Sequence, residues 1–145
     1  MLTNSGYDIQ KSVRDALLAD SAIQNLVGSR VYEAAPSNAA APYIIIGDMS
    51  SEPPELTSTS ILMRYSMEVS AVVGPDPQAN SQVIGFKNAH AILDRVTQLM
   101  QDRTPFSWDA TRKVLRVDIG AMKTERAEDY RIISLPVEVW VWQAR

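Results

Sequence analysis

His90 is the chain's one histidine and the natural first place to look for proton-transfer chemistry. A histidine base needs an orienting carboxylate and a nucleophile beside it in space. His90 instead falls on the flank of the apolar arc of a helical segment, about 80° from the arc's centre by helical geometry, and reads as a boundary residue of that helix. The chain has no cysteine, which excludes a disulfide framework, thiolate zinc sites and a cysteine nucleophile. A transition metal would then need a carboxylate-rich site. The acids show no such spacing: "GPDPQANS" holds one acid and lacks the calcium-loop pattern. The six glycines are scattered, with no phosphate-cradling GxGxxG or GxxxxGK[ST]. Nothing marks a particular acid pair for sugar hydrolysis. The residues point to no particular catalytic group, no cofactor and no metal, and leave a small carboxylate-based enzyme as a distant alternative.

Surface physics is more informative. In the closing stretch "SLPVEVWVWQAR" (Ser134 to Arg145), alternation places Leu135, Val137, Val139 and Val141 on one face of a strand. Ser134, Glu138, Trp140 and Trp142 take the other. The aliphatic set suits a core, so two of the three tryptophans stand on the supposedly wet side. Two coverings are open. One is a second layer of the same chain, such as the excursion "SEPPELTSTS"; the other is a neighbouring subunit, since exposed aromatic patches mark contacts. Pro136 cannot donate to a ladder, so the strand is expected at a sheet edge or a bulge, where it is able to pair or pack with another chain.

A base-stacking sheet for RNA is the competing use of exposed aromatics. It calls for basic residues beside aromatics on central strands. Here the basic cluster is Arg112, Lys113 and Arg116, near Trp108, in a chain of net charge −3. No direct nucleic-acid recognition is expected.

The elements that must carry these residues follow from periodicity. Ile9, Val13, Ala16 and Leu17 draw one helical stripe. After a break near Asp20, "SAIQNLVG" reads as a short helical turn with Ser21 and Gln24 as a capping box and Gly28 as its stop. "RVYEA" and "YIIIGDMS" are strand candidates, and "SEPPELTSTS" an exposed connection. The clearest strand is Arg64 to Val73, with Tyr65, Met67, Val69 and Ala71 alternating against polar residues. Ser81 to about Gln101 forms the main helix, its stripe running Phe86, Ala89, Leu93, Val96, Met100. Val114 to Met122 alternates as a strand with Leu115, Val117 and Ile119 on one side, "KTERAEDY" is a charged turn, and Tyr130 to Trp142 is the final strand. At 145 residues this is one domain, residues 1–145. The order predicts α+β: a mostly antiparallel sheet of four to five strands with two main helices packed on one face. The opening "MLTNSGYDIQ" lacks the pattern of a signal peptide and apolar runs fall far short of a span of ~20 residues. The expectation is a soluble, cytosolic chain without membrane contact.

The segment "IQKSVRDALLADSAIQNLVGSRVYEAAPSNAAAPYIIIGDMS" resembles the opening of the tail terminator and tail-completion proteins of long-tailed phages and gene-transfer-agent-like particles. The matching pieces are Leu17 to Asp20, Leu26 to Gly28, Val31 with Tyr32, and Pro42 to Ile46, followed by a similar layout of alternating strand, loop, long helix and closing hairpin. Ser51 to Ser60 departs from the family, where shorter connections are common. The resemblance implies a structural virion protein that forms a homo-oligomeric ring, usually of six. The ring caps the head-proximal end of the tail tube, ends tube polymerisation and presents the head-joining surface to a head-completion or stopper protein of the connector. Another head–tail connector or tail-tube component is the nearest alternative, and an RNA-binding sheet module a more distant one. Under this reading Trp140, Trp142 and Glu138 are candidates for subunit or sheet–sheet contact. Glu52, Glu55, Arg126, Glu128 and Asp129 are loop charges facing tube or connector.

Overall fold

The computed structural model describes residues 5–52, 54–74, 87–102, 105–106, 108, 111–126 and 130–144. The first stripe forms helix α1 (Gly6–Ala19), with Ile9, Val13 and Leu17 buried. Asp20 then adopts an extended backbone and caps α2 (Ser21–Val27). Its carboxylate accepts from the Ile23 N–H at 3.1 Å, so the cap is Asp20 and not the Ser21 expected from the capping-box pattern. Gly28 ends α2 at φ +64°, a left-handed conformation that suits glycine. Helix α3 (Lys87–Gln101) buries Ala89, Ile92, Leu93, Val96, Leu99 and Met100. From it Arg95 reaches back to Asp20 with two hydrogen bonds, 2.7 and 3.0 Å. These bonds foremost, aided by the Ile23 N–H against the opposing effect of burial, hold the Asp20 carboxyl below its ordinary value. One acid thus caps α2 and ties the α1–α2 corner to α3.

The described residues form eight strands: β1 (Val31–Tyr32), β2 (Tyr43–Ile46), β3 (Ser50–Ser51), β4 (Glu55–Leu56), β5 (Ser60–Val73), β6 (Arg112–Ile119), β7 (Lys123–Arg126) and β8 (Arg131–Ala144). They make one sheet of order β1-β2-β5-β8-β6, with β3 and β4 also paired to β5 and β7 to β8. The fold is α+β, but the expected four to five strands become eight and the two main helices become three. The β1–β2 pair is parallel and every other pair antiparallel. The extra strands are short and lie where the sequence shows only polar loop. Within "SEPPELTSTS", Ser51 and Glu55–Leu56 pair along β5, and the start of "KTERAEDY" is β7.

β5 and β8 are the axis of the sheet, matched over fourteen residue pairs from Ser60↔Ala144 to Val73↔Arg131. Their odd-numbered residues face the helices. Tyr65, Val69, Ala71, Ile133, Val137 and Val139 join Ile9, Val13, Ile23, Ile92 and Val96 in one buried cluster. The Tyr65 hydroxyl accepts the N–H of Ser5 at 3.0 Å, which fixes the start of α1 against the sheet. Arg112 adds a second clasp on this side, donating to Asp8 at 2.6 Å and Ser5 at 3.2 Å with its guanidinium 4.9 Å from the centre of the Trp108 ring.

The last strand is not at an edge. β8 pairs with β5 on one side, and on the other with β7 through residues 131–134 and β6 through residues 137–143. Pro136 lies where β7 stops and β6 starts, and its carbonyl accepts from the Gly120 N–H at 2.9 Å. A residue's N–H and C=O point to the same side of an antiparallel strand. The missing donor of Pro136 therefore faces the β6–β7 break, and the ladder to β5 loses nothing.

Candidate interaction surface

The even-numbered residues of β5 and β8 make the face away from the helices, and register fixes who meets whom across it. Leu62 pairs with Trp142, Arg64 with Trp140, Ser66 with Glu138, Glu68 with Pro136 and Ser70 with Ser134. On the other flank, Lys113 pairs with Trp142, Arg116 with Trp140 and Asp118 with Glu138. A shift in register between Val114 and Arg116 keeps these side chains on this face. It leaves Leu115 on the outside, 47% exposed, where simple alternation had grouped it with Val117 and Ile119.

Both tryptophans are half-buried, packed among cations. The Arg64 guanidinium lies 5.1 Å from the centre of the Trp140 ring and the Lys113 ammonium 5.7 Å from that of Trp142, each within cation–π range. Glu52 forms an ion pair with Arg64, and its backbone N–H donates to the Arg64 carbonyl at 3.0 Å. That pair first, then the fields of Glu52, Glu138 and Glu55 against the cost of desolvation, raises the Arg64 guanidinium above its ordinary value. A small depression of about 100 Å³ is lined by Glu52, Glu55, Leu62, Arg64 and Trp140. A larger one of about 420 Å³ lies at the β6–β7 break, lined by Ser66, Met67, Asp118, Ile119, Gly120, Pro136, Val137 and Glu138. The Trp140 indole N–H and the Arg64 Nε are both buried and have no hydrogen-bond partner among the described residues. A buried donor without an acceptor costs about 1–3 kcal/mol.

The face is banded along its strands. A band of Leu62, Trp142, Trp140, Arg64, Lys113 and Arg116 is followed by an acidic band of Glu138, Asp118 and Glu68. Ser70 and Ser134 then meet hydroxyl to hydroxyl at 2.8 Å, and Tyr32 and Tyr43 make an edge-to-face pair, 5.8 Å between ring centres, at the β1–β2 end. Burial, then the neighbouring Tyr130 and Tyr32, raise the Tyr43 hydroxyl above its ordinary value. No group of three or more His, Asp or Glu side chains able to hold a metal occurs among the described residues. No described helix is long and apolar enough to cross a membrane.

The model of the family described as "Tail completion protein gp17" matches residues 11–141. The chain belongs to that family. As such it is a structural component of a phage-type tail. No curated protein matches. Among solved structures, a chain from the virion of a native gene transfer agent particle has the same fold. It is 21% identical, with a TM-score of 0.71, over 96% of this chain and 98% of that one.

Of the residues singled out from sequence, this tail completion fold brings together Trp140, Trp142, Glu138, Glu52 and Glu55. The "SEPPELTSTS" excursion does reach the tryptophans, but as an added ladder on β5 whose acids flank Trp140, not as a layer over the pair. Arg126 lies apart: it pairs with Arg131, nine residues and roughly 30 Å along β8 from Trp140, and on the helix-facing side. Glu128 and Asp129 lie outside the described residues. Arg64, Lys113 and Arg116 complete the surface. Arg64 is invisible until β5 is paired with β8, although its place on the polar side of the strongest alternating strand marks it once that pairing is assumed.

Proposed function

We propose that this protein assembles as a ring, with six subunits the expected number, on the head-proximal end of a completed tail tube. There it stops addition of further tube subunits and offers the surface that a head-completion or stopper protein of the connector joins. The observation that carries this reading is a sheet face built for contact, with paired half-buried tryptophans and interleaved charges, on a chain whose family completes tails. The single domain of residues 1–145 supplies two different sheet edges for a closing head-to-tail contact: the two-residue β1 and the longer, bulged β6. Unlike edges on one subunit suit a heterologous interface, which generates a ring when its rotation closes. Glu52 and Glu55, with Arg126 at the end of β7 and the charges of Glu128 and Asp129, set register against tube or connector; complementary charges act on specificity and encounter rate more than on affinity. The alternation of Arg64, Lys113 and Arg116 with Glu52, Asp118 and Glu138 suits a protein partner better than the uniform negative charge of a nucleic-acid backbone. The test is negative-stain microscopy of purified tail tubes mixed with the protein. Added density at one tube end, together with arrest of tube growth, is the expected result. Tubes that stay bare and keep growing would sink the reading.

A further inference from the structure

The aromatic face is complementary to itself. Trp140 and Glu138 are two residues apart on β8, as are Arg116 and Asp118 on β6 and Arg64 and Ser66 on β5. A two-fold axis lying in the plane of this face, across the strands at the level of Val139, exchanges the two members of each pair. It lays the cation–tryptophan band of one copy on the acidic band of another. We infer that the Trp140/Trp142 face docks a second copy of this chain, sheet against sheet, in a two-fold dimer.

Two observations converge on that occupant. The depression of about 420 Å³ at the β6–β7 break is lined from this face by Ser66, Asp118, Pro136 and Glu138; the operation brings the second copy's Trp142 over Pro136, at its rim. Charge matches as well: Arg116, hydrogen-bonded to its own Asp118 at 2.7 Å, faces the Asp118 of the second copy, so four alternating charges meet around the axis. By strand geometry the banded patch measures about 20 by 27 Å. That buries roughly 1,000 Å² over both copies, the lower bound for a specific interface. Stacked sheets cross at about 30°, so the pairs nearest the axis, Trp140 with Glu138 and Arg116 with Asp118, align best. The contact leaves the outer edges of β1 and β6 free. It does not use the edges assigned above to the ring contact.

The charge pair gives the test, because Arg116 and Asp118 are 68% and 37% exposed in their side chains and tolerate substitution. Light scattering after gel filtration should find the unmodified chain at twice its 16.1 kDa mass. Arg116→Asp and Asp118→Arg should each weaken self-association by about tenfold or more. A mixture of the two variants should recover it, since both cross contacts then join a carboxylate to a guanidinium; a misfolded variant cannot be rescued in this way. Trp142→Ala should weaken the dimer about a hundredfold. A monomer at millimolar concentration, variants that dimerise unimpaired, or a mixture that stays monomeric each overturn the inference. So does a hexamer insensitive to all three changes, which leaves the ring reading standing. A two-fold dimer with tubes left uncapped does the reverse.

Discussion

The two faces of β8 are built from the same backbone and differ in what covers them. On the odd face, Ile133, Leu135, Val137, Val139 and Val141 are sealed by α3 and the rest of the helical layer. Each side chain there is worth its transfer free energy to the monomer. On the even face, Trp140 and Trp142 present more apolar area per residue, yet they are half-buried and rest on Arg64 and Lys113. Large apolar groups held beside charges, with a buried N–H left unpaired, are poor core and good interface. The lesson is that residue size does not identify a core; the layer across from it does.

Several changes would break or sharpen that contrast. The largest effect on folding belongs to the covered face: Ile133→Ala should cost 2–5 kcal/mol, read as a shift of the urea midpoint. A cost below about 1 kcal/mol would mean that the helices do not seal this face. Arg112, which clasps the start of α1 from the helix side, should cost about 1 kcal/mol as Arg112→Ala. The charged hydrogen bonds of part-exposed groups are discounted by solvent. Asp20→Asn should cost a similar amount at neutral pH, since it keeps a capping oxygen but loses the charge that Arg95 holds. Because the folded carboxyl is shifted downward, its contribution is complete above the unfolded value of about 3.9 and fades as pH falls through the folded value. Stability curves of the variant and the parent should therefore converge in acid; a gap unchanged at pH 2 would refute the ion pair. Smallest is Gly120→Ala, whose new Cβ would lie 3.0 Å from the Pro136 Cγ. It should cost about 1 kcal/mol or less and be relieved in the double variant with Pro136→Ala.

The face assignment of β8 was legible because a strand's period of two is a local property, and Val137 to Trp142 obey it without interruption. The position of β8 in the sheet was not legible, because pairing order is set by residues far apart in the chain. Pro136 was a true sign of a missing ladder bond, but that bond is missing at a break between two short partners, not along an open edge. β3 and β4 are not legible in the sequence because two residues show no periodicity; pairing along the long β5 defines them. Leu115 misled because a one-residue register shift reverses which side the preceding alternation predicts. The sequence marks Glu52 as a loop charge, but its ion pair with Arg64 depends on the fold. The ring itself comes from family likeness, since no residue pattern announces a rotation angle.

Trp142→Ala measured twice on one sample series tests the central claim, that the even face serves a neighbour and not the monomer's core. One reading is the melting temperature at low concentration; the other is self-association by light scattering at high concentration. The account predicts a melting temperature lower by only a few degrees, as for a change near 1 kcal/mol, with association lost. A collapsed melting temperature with association intact would place the tryptophan in the core and contradict it.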